Sequence, residues 1–130
     1  MDLILWRHAE AVEDDVSGDD MARTLTPRGE KQAKRMAAWL DRQLPDSSRI
    51  WVSPARRTAQ TAQALDRKFT LSQAIAPMGT PEQLLALVQW PHANGCVLVV
   101  GHQPTLGQTL SQLLGLRMQA FDEHAGFGKV

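Results

Sequence analysis

The sequence predicts an α/β sandwich built on parallel strands, and three observations carry that prediction. Strand-like runs recur at residues 3–6, 49–52 and 96–100, mostly apolar and uninterrupted, as in strands buried on both faces. Each is followed by a polar turn and then a stretch with helical spacing and a helix-start signature. Strand and helix therefore alternate along the chain, the pattern of crossover connections between parallel strands.

Leu3-Ile4-Leu5-Trp6 is the first strand. Residues 9–24 carry Glu10, Glu13, Asp14, Asp15, Asp19 and Asp20, with Gly18, and read as a solvated surface loop whose role, if any, is gating or partner contact. Thr26-Pro27 opens the first helix, a capping hydroxyl followed by proline in the first turn. Ala33, Met36, Ala37, Leu40 and Leu44 give that helix an apolar face, and Pro45-Asp46 ends it. Arg49-Ile50-Trp51-Val52 is the second strand, and Ser53-Pro54 repeats the cap-and-proline device before a helical stretch over 55–68. Thr80-Pro81-Glu82-Gln83 repeats it with capping-box spacing, opening a helix faced by Leu84, Leu85, Leu87 and Val88. Asn94-Gly95 turns the chain into Cys96-Val97-Leu98-Val99-Val100, the strongest buried-strand signal. A last helix starts at Pro104 and runs through Leu106, Leu110, Leu113 and Leu114 to Gly115. Residues 116–130 have no periodicity to interpret.

At 130 residues the chain fits one domain, large enough to bury about two-thirds of its unfolded surface. Lysine plus arginine equals aspartate plus glutamate, 14 against 14, so no global field attracts nucleic acid or an anionic membrane. Trp6, Trp39, Trp51 and Trp90 are spaced as packing residues, and no basic stripe accompanies them. The single cysteine, Cys96, sits inside an apolar run and has no internal disulfide partner. With Asp2 where a signal peptide needs positive charge, and no apolar stretch of membrane-spanning length, a cytoplasmic protein is expected.

The chemistry is concentrated at strand ends. Arg7-His8 follows the first strand and His102 follows the strand at 96–100, while Arg57 lies just beyond the second. Ligands of open α/β sheets sit beyond the carboxyl ends of the strands, so these groups are expected to converge. A metal is a poor occupant, because the arginines beside the histidines repel a divalent cation and no cysteine or carboxylate spacing resembles a cage. An anion suits them better. Guanidinium forks bind phosphoryl oxygens through paired hydrogen bonds, and a neutral imidazole can attack phosphorus while its other nitrogen donates to a carbonyl. Taken by itself, His8 reads as a capped strand-end histidine satisfied by backbone. Ser53 reads as a helix cap rather than a nucleophile, and His92 and His124 as solvated side chains.

Four segments then carry a resemblance. Leu5-Trp6-Arg7-His8-Ala9-Glu10-Ala11, Arg23-Thr24-Leu25-Thr26-Pro27-Arg28-Gly29, Val52-Ser53-Pro54-Ala55-Arg56-Arg57-Thr58-Ala59-Gln60-Thr61-Ala62 and Val99-Val100-Gly101-His102-Gln103-Pro104 occur in that order. Together they resemble the histidine phosphatase superfamily, and within it the SixA-type phosphohistidine phosphatases. The resemblance implies a phosphoglycerate mutase-like three-layer α/β/α sandwich with a mostly parallel sheet and little lid, as a single domain over 1–130. It implies that His8 is the nucleophile, that Arg7 and Arg57 bind the phosphoryl group, and that His102 completes the pocket. The family places its arginine four residues after the serine, which selects Arg57 and leaves Arg56 on the surface. No metal or other cofactor is implied. The implied substrate is phosphohistidine on a phosphotransfer protein; a small phosphorylated metabolite, or phosphate binding without turnover by a regulatory module, remain the alternatives.

Two departures accompany the match. Ala9 stands where the family usually has glycine, which is harmless only if that residue keeps a negative φ. The sequence also ends where family members add further sheet strands, so C-terminal strands are expected to be missing from it. Larger relatives such as phosphoglycerate mutases use a carboxylate as general acid, and Glu82 is the only acid near a comparable place. Helix capping is the favoured reading of Glu82, since an imidazole leaving group needs less protonation than an alkoxide.

Overall fold

The computed structural model describes residues 1–115 and 127–129. Among them, β1 (Asp2–Arg7), β2 (Arg49–Val52), β3 (Thr70–Leu71), β4 (Cys96–Gly101) and β5 (Phe127–Lys129) form one sheet in the order β3-β2-β4-β1-β5. The first four are mutually parallel, and β5 runs antiparallel to β1 at the edge. The expected α/β architecture with a mostly parallel sheet is the one observed.

Alternation along the central strands splits the core into two halves. From β1 and β4, Ile4, Trp6, Cys96, Leu98 and Val100 meet Ala37, Leu40 and Leu44 of α1 (Pro27–Gln43) and its end, and Ala62 of α2 (Arg56–Gln63). On the other face Leu3, Leu5, Val97 and Val99 meet Leu84 and Val88 of α3 (Pro81–Val88) and Leu106 and Leu110 of α4 (Thr105–Leu114). This is why β4 reads as a continuous apolar run: every residue of it is buried, and each of the Val97, Leu98, Val99 and Val100 side chains contributes about 1.5–3 kcal/mol. No helix among the described residues is long and apolar enough to cross a membrane.

The helix starts follow two of the expected devices. Thr26 Oγ1 accepts from Gly29 N–H at 2.9 Å with Pro27 in the first turn. Thr80 and Gln83 form a reciprocal capping box. At α2 the device is altered: the residue preceding the helix is Ala55, without a side-chain cap, and the Ser53 hydroxyl accepts from Ala55 N–H at 3.3 Å rather than from the first turn of the helix. α2 also ends at Gln63 rather than 68, and Asp66 then takes a left-handed φ of 54° as the chain turns toward β3. α4 begins at Thr105, with Pro104 as its cap position. Trp39 is 41% exposed, against the packing role expected of it, whereas Trp6, Trp51 and Trp90 pack on the core.

The acidic segment is not simply a solvated loop. Thr26 N–H donates to Glu10 O at 3.0 Å, and Val12 N–H donates to Thr24 O at 2.8 Å, tying its two ends together. Gly29 allows this: a Cβ there would lie 1.9 Å from the Glu10 carbonyl oxygen. Between these ties a 3₁₀ turn at Asp20–Ala22 carries the segment back over the carboxyl edge of the sheet.

Candidate active site

The sheet ladder continues one step past the strands into the residues of interest. His8 N–H donates to Gly101 O at 3.1 Å, and Ser53 N–H donates to Val100 O at 3.0 Å. Those bonds set the residue after β1 and the residue after β2 on either side of the end of β4, where His102 follows. The rings of His8 and His102 have centroids 5.4 Å apart and are tilted by 58°.

His8 Nδ1 lies 2.7 Å from Ala9 O. A carbonyl only accepts, so Nδ1 holds the proton and Nε2 keeps its lone pair. Burial, and then the charges of Arg57, Arg7 and Arg23, push the His8 pKa down to about 4, with the Ala9 bond opposing them. The imidazole is therefore neutral at pH 7. Ala9 N–H donates to Thr61 Oγ1 at 3.0 Å, and Thr61 Oγ1 donates to Arg57 O at 2.8 Å, so α2 holds the turn after His8 from below. Among the described residues only Asp66 and Gln89 are non-glycines with positive φ; Ala9 is thus unstrained in the place of the family's glycine.

Arg57 is 4% exposed, whereas Arg56 points to solvent as expected. One Arg57 Nη donates to Asp20 O at 2.7 Å and the other to the Asp20 carboxylate at 3.0 Å, while Nε is buried with no partner among the described residues. Asp20 Oδ1 also accepts from Arg23 at 2.9 Å, and Arg23 Nε donates to Val12 O at 2.7 Å. Arg23, followed by Arg57, holds the Asp20 carboxyl below the usual carboxylate range. Arg7, half-buried at the end of β1, adds to the positive field on His8.

His102 is buried, and its Nε2 lies 2.7 Å from Ser53 Oγ. Burial, then Arg57, His8 and Arg23, lower its pKa to about 3, with Asp20 opposing. The result is two neutral imidazoles close to clustered guanidiniums, an environment suited to an anion.

The structure thus brings together His8, Arg57 and His102, with Arg7 beside them. Glu82 is not gathered with them. It is exposed in the first turn of α3, accepts from Gln112 Nε2 at 3.3 Å, and its carboxyl is lowered by its own backbone N–H, by Gln112 and by Thr80. His92 is exposed, and His124 lies outside the described residues. Among the described residues no group of three or more histidine, cysteine or acidic side chains is arranged to hold a metal ion.

Reading the sequence missed three participants. Asp20 sits in a segment that looks solvated, Arg23 lies in a quoted motif without a role, and the Ser53 hydroxyl resembles a cap. Only Arg23 had a usable signal, as a cation in a segment otherwise rich in acids.

Residues 3–78 match the sequence profile of the histidine phosphatase superfamily (branch 1). The phosphohistidine phosphatase SixA homolog of Haemophilus influenzae is 30% identical over 132 residues, covering 90% of this chain and 79% of the relative. A SixA-type structure from Nakamurella multipartitia superposes with a TM-score of 0.79 at 32% identity, over 98% of this chain and 82% of the other. The protein histidine phosphatase SixA in complex with tungstate superposes with a TM-score of 0.75 at 27% identity, over 87% and 76% of the two chains. With two neutral histidines and a buried arginine gathered at the carboxyl edge of a phosphoglycerate mutase-like sheet, the chain belongs to the histidine phosphatase superfamily and is a SixA-like phosphatase.

Proposed function

We propose that the protein is a phosphohistidine phosphatase that works through a covalent phosphohistidine on His8, with phosphohistidine of a phosphotransfer protein as substrate. His8 Nε2 attacks phosphorus in line with the departing imidazole nitrogen; the Nε2–P bond forms as the substrate P–N bond breaks, and the leaving nitrogen takes a proton from solvent. Arg7 and Arg57 hold the non-bridging oxygens, and His102 donates to one of them as charge builds in the transition state. Water then attacks phosphorus and the Nε2–P bond breaks, releasing inorganic phosphate. Because Nδ1 keeps its proton against Ala9 O throughout, His8 departs as neutral imidazole, a competent leaving group.

The observation that carries this reading is the Arg57 guanidinium, buried with its Nε unpaired, beside a histidine whose Nε2 is left as a lone pair. An unpaired buried donor calls for an oxygen acceptor, and a phosphoryl group has three. Tungstate is a tetrahedral oxyanion of the same kind, and it binds the related SixA. Glu82 lies exposed and bonded to Gln112 rather than gathered with His8, Arg57 and His102, which favours an imidazole over an alkoxide as leaving group, and so a phosphohistidine over a phosphate ester.

The test is phosphate release, without added metal, from a phosphohistidine-bearing phosphotransfer protein and from a panel of phosphorylated metabolites, comparing wild type with His8→Ala. Release from the phosphoprotein, lost in the variant, is expected. Preferential turnover of a metabolite would keep the chemistry and change the substrate. Oxyanion binding without release or labelling of His8 would make the protein a binding module.

A further inference from the structure

One fully buried side chain at the pocket has no part in the chemistry above. Ser53 follows β2, and its backbone is held at both ends: its N–H donates to Val100 O at 3.0 Å, and its carbonyl accepts from Thr58 Oγ1 at 2.8 Å. Little is left to move but the hydroxyl. Oγ accepts from Ala55 N–H at 3.3 Å and lies 2.7 Å from His102 Nε2. With a donor already directed into Oγ, the hydroxyl proton goes to the remaining neighbour, and Nε2 is the acceptor. A neutral imidazole that accepts at Nε2 carries its hydrogen on Nδ1. Among the described residues Nδ1 of His102 has no hydrogen-bond partner, although the ring faces His8.

We infer that Ser53 is a positioning residue, which fixes His102 in the Nδ1-protonated tautomer and turns that N–H toward the transferring phosphoryl group. This rests on the phosphatase reading above. Without Ser53 the proton could settle on Nε2, leaving an acceptor lone pair facing an anionic oxygen. The pocket then uses its two histidines in opposite senses. Ala9 O holds the proton of His8 on Nδ1 and bares the Nε2 lone pair for attack, whereas Ser53 fills the Nε2 lone pair of His102 and bares a donor. Burial supports the assignment, since it keeps His102 neutral and so dependent on its tautomer.

The test uses ¹⁵N NMR of the histidine side chains in the full chain at pH 7, together with turnover. Wild-type His102 is expected to show protonated Nδ1 and unprotonated Nε2. Ser53→Ala should give mixed tautomers at His102 and lower kcat by about tenfold to a hundredfold, the range for losing a partner that orients a functional imidazole. Its dissociation constant for inorganic phosphate should change by less than about threefold. Ser53→Thr, which keeps the hydroxyl, should keep the tautomer, and it replaces the alanine variant if that one fails to fold. A wild-type His102 protonated on Nε2, or a Ser53→Ala enzyme with unchanged kcat, overturns the inference. Failure of the wild type to release phosphate would remove the phosphatase reading, and the tautomer measurement would still decide what Ser53 does.

Discussion

His8 and His102 face one another across 5.4 Å, and each has one ring nitrogen engaged by a protein oxygen, Ala9 O for the first and Ser53 Oγ for the second. Burial keeps both rings neutral over a range in which an exposed histidine would titrate, and several measurable properties follow from that.

The first concerns pH. Both folded pKa values lie below the ordinary 6.5, at about 4 for His8 and about 3 for His102. As pH falls below 6.5 the unfolded chain takes up protons that these folded histidines refuse, so stability is full above 6.5 and declines through the window down to about 4. Thermal unfolding is expected to show a midpoint that drops as pH goes from 7 to 4, and His102→Gln should flatten the slope by close to one proton. In activity the same shifts predict a kcat/KM that holds down to about pH 5 and falls near 4, as protonation removes the His8 lone pair. An acid limb near 6.5 would mean that the pocket does not bury these rings as described.

Asp20 gives a second prediction. Its carboxylate bridges Arg23 and Arg57, so an anionic ligand of Arg57 must compete with a charge already in place. Asp20→Asn keeps the shape and an acceptor but removes that charge. Tungstate affinity, measured by calorimetry, should rise about fivefold, equivalent to about 1 kcal/mol for a part-exposed ion pair. Weaker binding would show instead that Asp20 is needed to hold Arg57 in position.

For Glu82, exposed and bonded to Gln112, the expectation is near silence. Glu82→Gln should leave phosphohistidine turnover within about twofold of wild type, with a small loss of stability from the first turn of α3. A fall of tenfold or more would make Glu82 the general acid, and would point to a substrate with an alkoxide leaving group.

How much of this could be read beforehand differs from residue to residue. β1 and β4 were legible because strands buried on both faces read as apolar runs, and β2 because Ile50, Trp51 and Val52 follow Arg49 without a break; the arrangement of His8, Arg57 and His102 followed from their places just past those strands. Arg57 was separable from Arg56 by its place in a motif, and burial of the one and exposure of the other agree with that choice. β3 was missed because two exposed residues carry no pattern, and β5 because it lies in a tail without periodicity. Asp20 was missed for a different reason: an acidic segment has the same composition whether water or a buried guanidinium receives its charge. The Ser53 hydroxyl does brace the turn, accepting from Ala55 N–H, but its contact with His102 was missed because only the three-dimensional fold brings that imidazole nitrogen within 2.7 Å.

The two backbone bonds that tie His8 to Gly101 and Ser53 to Val100 also decide how the pocket comes apart. They are further rungs of the β1–β4 and β2–β4 ladders, so the pocket floor has no local opening of its own. Its amides should exchange with solvent only when the sheet itself separates, while those near Asp20, on the overlying turn, are free to exchange through smaller fluctuations. Floor and cover thus keep different clocks: the turn carrying Asp20 is expected to open many times within one lifetime of the sheet beneath it.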